Sequence, residues 1–214
     1  MSTPRRSFLG RLGALLALGA VPSSLAAVES GGRGSGAGDA YAPDERWLEA
    51  VAQREHRLFV DTATLTDVAA FRRTLNFLDV YNTDFGTADG KLGVVIGMHG
   101  GAIALALGDA LWAKYRLGER LGVKDAAGAP VTAHPFRAGH AATIEGMKAR
   151  GVHLLACNRT LMRLSRELAG AAGDAAALHR ELVAGVLAEV QVVPAMIVAV
   201  SRAQERGIPY IVVV

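Results

Sequence analysis

From residue 56 to residue 214, short and almost uninterrupted apolar runs alternate with longer segments whose apolar positions recur every three or four residues. Leu58-Phe59-Val60, Leu92-Gly93-Val94-Val95-Ile96, Val152-His153-Leu154-Leu155-Ala156, Val190-Gln191-Val192-Val193 and Tyr210-Ile211-Val212-Val213-Val214 are the short runs. They are rich in Val and Ile and lack the polar alternation of a half-exposed sheet, so they predict strands buried on both faces. Between them, Val68, Phe71, Leu75, Leu78 and Tyr81 predict a helix from Thr66, as N-cap, to about Asn82. Ile103, Leu107, Ala110 and Leu111 share one helical face, and a further helix is expected over about Ala141–Arg150, stopped by Gly151. Asn158–Ala169, Ala175–Leu187 and a segment opened by Pro194 and ended by Gly207 complete the set. Leu117–Pro135 has Gly118, Gly122, Gly128, Pro130 and Pro135 and little sustained period. It is expected to be a long excursion, functional or partly disordered. Strand and helix in repeated alternation predict an α/β fold with a mainly parallel five-stranded sheet and helices on both faces.

The first 42 residues follow another pattern. Arg5-Arg6-Ser7-Phe8-Leu9 precedes the apolar run Leu12–Val21, which is closed by Pro22 and followed by Ser24-Leu25-Ala26. The run is far shorter than the ~20 residues that span a bilayer as a helix. An arginine pair, a short h-region and a small-residue cleavage site predict a twin-arginine signal peptide over residues 1–26. The expected location is the periplasm or another extracytoplasmic space, with no stable membrane insertion after cleavage. Residues 27–42, centred on Glu29-Ser30-Gly31-Gly32-Arg33-Gly34-Ser35-Gly36, have the composition of a flexible tether. Residues 43–214 then form one domain. Arg5, Arg6 and Arg11 account for the whole excess of 23 Lys and Arg over 20 Asp and Glu. The basic pI of about 9.3 therefore belongs to the signal and gives no reason to expect nucleic acid as a partner.

Ligands of parallel sheets collect beyond the carboxyl ends of the strands, and two places there carry candidate chemistry. Cys157 is the single cysteine of the chain and stands between the third strand and the following helix. It has no partner for an internal disulfide. Amides at the start of that helix, with Arg159 nearby, would favour the thiolate, the nucleophilic form. The alternative is a small buried hydrophobe. Gly97-Met98-His99-Gly100-Gly101 is a glycine-rich turn after the second strand, where Gly100 and Gly101 would let an anion approach backbone N–H groups. Its spacing matches neither a dinucleotide fingerprint nor a phosphate loop. His99 would act as base or polar partner if its strand neighbours that of Cys157. His99, His134, His140, His153, Met98 and Cys157 lack any tight ligand spacing, so neither a metal nor another cofactor is expected.

Three segments in order resemble the DsrE/DsrF-like (YchN-like) family. They are Val94-Val95-Ile96-Gly97-Met98-His99-Gly100, then Gly151-Val152-His153-Leu154-Leu155-Ala156-Cys157-Asn158-Arg159-Thr160, then Val192-Val193-Pro194-Ala195 with Gln204 and Gly207-Ile208-Pro209-Tyr210. The resemblance implies a flavodoxin-like three-layer sandwich, assembled as a homotrimer or homohexamer. It also implies that a cysteine at the position of Cys157 carries sulfur as a persulfide. The expected partners are a sulfane sulfur donor and a thiol or sulfite acceptor. On that basis the chain is expected to be an exported sulfur-relay protein, a persulfide carrier or sulfurtransferase. The alternative is a non-catalytic oligomeric module that binds a small ligand or a partner.

Overall fold

A computed structural model of the chain describes residues 44–213. The arginine pair, the h-region, the cleavage site, the glycine-rich tether and Val214 lie outside the described residues. The described residues open with α1 (Arg46–Ala52) and enter β1 (His56–Thr62). A single-turn 3-10 segment, Thr66–Val68, leads into α2 (Ala69–Thr83), and a second 3-10 turn, Asp89–Lys91, leads into β2 (Leu92–Met98). A third 3-10 segment, Gly100–Ala106, precedes α3 (Asp109–Lys114), α4 (Leu117–Leu121) and α5 (Ile144–Ala149). Then come β3 (His153–Cys157), α6 (Asn158–Ala169), α7 (Ala175–Ala184), β4 (Val190–Val193), α8 (Met196–Glu205) and β5 (Tyr210–Val213).

The five strands form one sheet in the order β4-β3-β2-β1-β5, and every pair is parallel. The α/β class with helices on both faces is thus what the strand-and-helix alternation predicts. It is consistent with a flavodoxin-like three-layer sandwich. Strands β1 to β4 are laid down side by side, with all their connecting helices on one face. There Leu58, Val60, Val94, Ile96, Leu154 and Ala156 pack against Phe71, Leu78, Leu105, Trp112, Met147 and Leu161. The chain then crosses back over the other face in α8 to place β5 beside β1. Phe59, Val95, Leu155, Cys157 and Val193 pack there against Trp47, Leu48 and Val51 of α1 and Met196, Ala199 and Ala203 of α8. In β1 to β4 alternate residues serve the two cores, as the apolar runs predict; β5, at the edge of the sheet, departs from that expectation and leaves Ile211 and Val212 exposed. Gly97 faces the second core because Met196 lies across it. A Cβ at residue 97 would be 2.5 Å from Met196 Sδ and 2.7 Å from Phe59 Cε1.

Several boundaries differ from the sequence expectation. Helix α1 was not expected; it is short, and Trp47, Leu48 and Val51 bury its inner side. Thr66 does not cap α2, because the 3-10 turn ends on Val68 in the left-handed region and the helix starts at Ala69. The single helix expected around Ile103–Leu111 is split at Gly108. The helices expected from Ala141 and from Pro194 start at Ile144 and Met196, and that expected to Leu187 ends at Ala184. The Leu117–Pro135 excursion is tied together. Val123 N donates to Gly118 O, Val131 N donates to Val123 O, and Asp125 Oδ1 accepts from Ala127 N and Ala129 N.

Candidate functional site

Strand β3 leads into α6 on one face of the sheet, whereas its neighbour β4 leads into α8 on the other. The carboxyl ends of β3 and β4 therefore diverge, making a switch point where parallel sheets bind ligands. Cys157 ends β3 and pairs in register with Val193, which ends β4. Its side chain makes no cap bond to α6. It turns to the opposite face, where Met196 N, at the start of α8, donates to Sγ at 3.3 Å. The helix N-terminus that addresses the sulfur is that of α8, which follows the next strand, β4, and not that of α6. Cys157 is 5% exposed, packed with Leu155, Val193 and Met196. Charge on such a sulfur is held away from water, so a directed N–H is its main compensation. Arg159, the second residue of α6, is exposed and makes no hydrogen bond or ion pair among the described residues. The next residue back, Asn158, is buried, and its Oδ1 lies 2.7 Å from His179 Nε2 of α7.

His99 follows the last residue of β2. Met98 pairs with Ala156, so His99 and Cys157 are the next residues on adjacent strands. Yet the imidazole turns away from β3. His99 Nε2 lies 3.0 Å from Asp61 Oδ1 of β1, on the other side of β2. Tyr210 of β5 donates its hydroxyl to Asp61 Oδ2 at 2.9 Å. Burial, and then the bond to Asp61, raise the Tyr210 phenol above its ordinary range. His99 and Cys157 are thus neighbours in the sheet without a hydrogen bond between them among the described residues. Asp61 was not among the residues singled out from the sequence, and Tyr210 was named only as part of the Gly207–Tyr210 segment, with no role in a site. The available signal was an acid ending the otherwise apolar Leu58-Phe59-Val60 run.

The glycine turn differs from expectation in its use of amides. Gly100 is in the left-handed region (φ +53°), and a Cβ there would lie 2.5 Å from Ala63 O. That carbonyl accepts from both Gly101 N and Ala102 N. These two amides tie β2's exit to β1's exit and are not free for an anion. Gly101 instead lines two open cavities. One, of about 540 Å³, is walled by Ala63–Thr66, Leu121, Val123 and Phe136. The other, of about 240 Å³, includes Gly100, Arg120, Thr160 and Arg163.

Among the described residues, no three His, Cys, Asp or Glu side chains come together as a metal site. His134 is buried with both ring nitrogens engaged: Nε2 is 2.9 Å from Leu105 O, and Nδ1 accepts from Phe136 N. No helix of the described residues is long and apolar enough to cross a membrane. No protein-family model matches the chain, and no curated protein sequence matches it.

Proposed function

We propose that this chain is a sulfur-relay protein that holds sulfane sulfur on Cys157. The observation that supports this most directly is the Met196 N–H donated to Cys157 Sγ at the divergence of β3 and β4. A thiolate there attacks the outer sulfur of thiosulfate. The new Sγ–S bond forms as the S–S bond of the donor breaks, and sulfite leaves with the electron pair. The product is Cys157–S–S⁻, which passes its outer sulfur to an acceptor and regenerates the thiolate without any external oxidant. The motif resemblance to DsrE-like proteins supports the same reading. Export by the twin-arginine route and assembly as a homotrimer or homohexamer belong to it. The test for export is replacement of Arg5 and Arg6 by Lys, which should block it. The test for assembly is light scattering of the mature protein, in which a monomer would remove that part.

The test of the carrier itself is mass spectrometry after incubation with thiosulfate or polysulfide. The expected result is a gain of one sulfur that a reductant removes. Cys157→Ser should abolish the gain while circular dichroism stays native. One observation favours a second reading, a small-ligand or partner-binding module: Cys157 is 5% exposed and packed in the core. Alkylation decides between the two. A thiol that reacts only after unfolding overturns the carrier and leaves the binding module.

A further inference from the structure

Asp61 is a carboxylate almost out of water, its side chain 12% exposed. No Lys or Arg pairs with it among the described ion pairs. Only Tyr210 gives it an aligned hydrogen bond. The other oxygen, Oδ1, has no aligned donor, although His99 Nε2 stands 3.0 Å away. The imidazole is the nearest polar group to that oxygen. Nε2 is the ring nitrogen on the Asp61 side, so Nδ1 is the one left to take up a proton. Nδ1 has no partner among the described residues, and the ring is 34% exposed at the carboxyl edge of the sheet. A base oriented by a carboxylate, which is held in turn by a phenol, is an arrangement suited to proton removal. It stands one strand from Cys157, on the same face of the sheet.

We infer that His99, positioned by Asp61 and Tyr210, is the general base for the acceptor of sulfur, and that this acceptor is a thiol. The inference rests on the carrier reading of Cys157. A neutral thiol brings a proton that must be removed before its sulfur can attack. Sulfite attacks through a lone pair it already carries and needs no base. In the step, the S–H bond of R–SH breaks and its proton goes to His99 Nδ1. The thiolate then attacks the outer sulfur of Cys157–S–S⁻ and forms an R–S–S bond. The Sγ–S bond breaks with its electron pair on Sγ, and His99 returns the proton to the transferred sulfur. The balance is R–SH + Cys–S–S⁻ → R–S–SH + Cys–S⁻.

The experiment loads the mature protein with sulfur and follows its transfer to glutathione and, separately, to sulfite. His99→Gln should slow transfer to glutathione on the order of 10²-fold, and far more than transfer to sulfite. His99→Gly should regain transfer to glutathione when imidazole is added. Tyr210→Phe, which removes one hydroxyl and suits a protein that tolerates no change at His99, should show the same selectivity in weaker form. Equal losses with both acceptors, no loss with glutathione, or no rescue by imidazole would overturn the inference. A wild-type protein that takes up no sulfur overturns the carrier reading, and this inference with it.

Discussion

Met196 links two features of the site through one residue. Its amide points at Cys157 Sγ, and its thioether lies across β2 against the Phe59 ring. The space for that thioether exists because residue 97 has no Cβ. Gly97→Ala would put a methyl 2.5 Å from Sδ and 2.7 Å from the Phe59 ring. The methionine can swing away, but the ring, fully buried and edge-on to Trp47 at 6.2 Å, cannot move far. Overpacking of this kind costs about 1–3 kcal/mol. Urea unfolding should show that loss, and native alkylation of Cys157 should change in rate as the Met196 amide shifts. A Gly97→Ala protein of unchanged stability and unchanged thiol reactivity would mean that Met196 is not held over β2 as described. The chemistry at this scale was only partly legible in the sequence. Cys157 and His99 stand out by residue type and by place at strand ends. Asp61 and Tyr210 do not, because their partnership depends on β5 returning beside β1, a pairing that no local pattern encodes.

Arg150, at the end of α5, governs how the elements on the larger core are joined. Its guanidinium meets Asp89 with two nitrogens, Asp79 Oδ1 at 2.8 Å and Asn82 Oδ1 at 2.6 Å. One side chain thus ties α5 to α2 and to the 3-10 turn before β2. The hydrogen bond from Arg150 is the main cause that holds the Asp89 carboxyl below its ordinary range. The guanidinium is about a quarter exposed and the Asp89 carboxyl about a third, so solvent screens part of the interaction. Arg150→Ala should cost about 1–3 kcal/mol. Arg150→Lys should recover little of it, since an ammonium cannot reproduce the planar fork. Equal stability of the Lys variant and the wild type, measured by thermal unfolding, would count against the fork. Such joints explain which elements the sequence shows and which it hides. Strands β2 and β3 read clearly because burial on both faces leaves almost no polar residue inside them, and β5 reads as a strand by its Val and Ile content although Ile211 and Val212 are exposed. Helix α6 reads clearly because Leu161, Leu164 and Leu168 repeat on one side. Helices α1, α3 and α4 are five to seven residues long, too short for a period to emerge. Their tertiary contacts, and not local propensity, hold them helical.

At the scale of the whole molecule, the end of α4 and the segment after it form one wall of the cavity at the ends of β1 and β2, through Leu121, Val123 and Phe136. His134 anchors that wall. Its backbone N donates to Asp109 Oδ1 at 2.8 Å, its ring bonds to Leu105 O, and it lies 5.4 Å from the Trp112 ring. Because Nδ1 accepts from Phe136 N while Nε2 donates to Leu105 O, only the neutral ring satisfies both bonds. Burial is the main cause that lowers its proton affinity in the folded state. Burial lowers those of His153 and His179 as well. The unfolded chain takes up these protons near pH 6.5 and the folded chain only at lower pH. Their contribution to stability is therefore complete above about pH 6.5 and is lost as the pH falls below it. The midpoint of thermal unfolding should accordingly drop between pH 7.5 and 5.5, before the carboxylates titrate. His134→Gln should be less stable than wild type at pH 7.5, by about 1–3 kcal/mol, yet should lose less over that interval. Proteolysis within residues 122–143 of the wild type should also rise on acidification, because protonation removes the acceptor of Phe136 N. If His134→Gln loses as much as the wild type between the two pH values, the acid sensitivity belongs to His153 and His179 instead, and the cavity wall is held independently of pH.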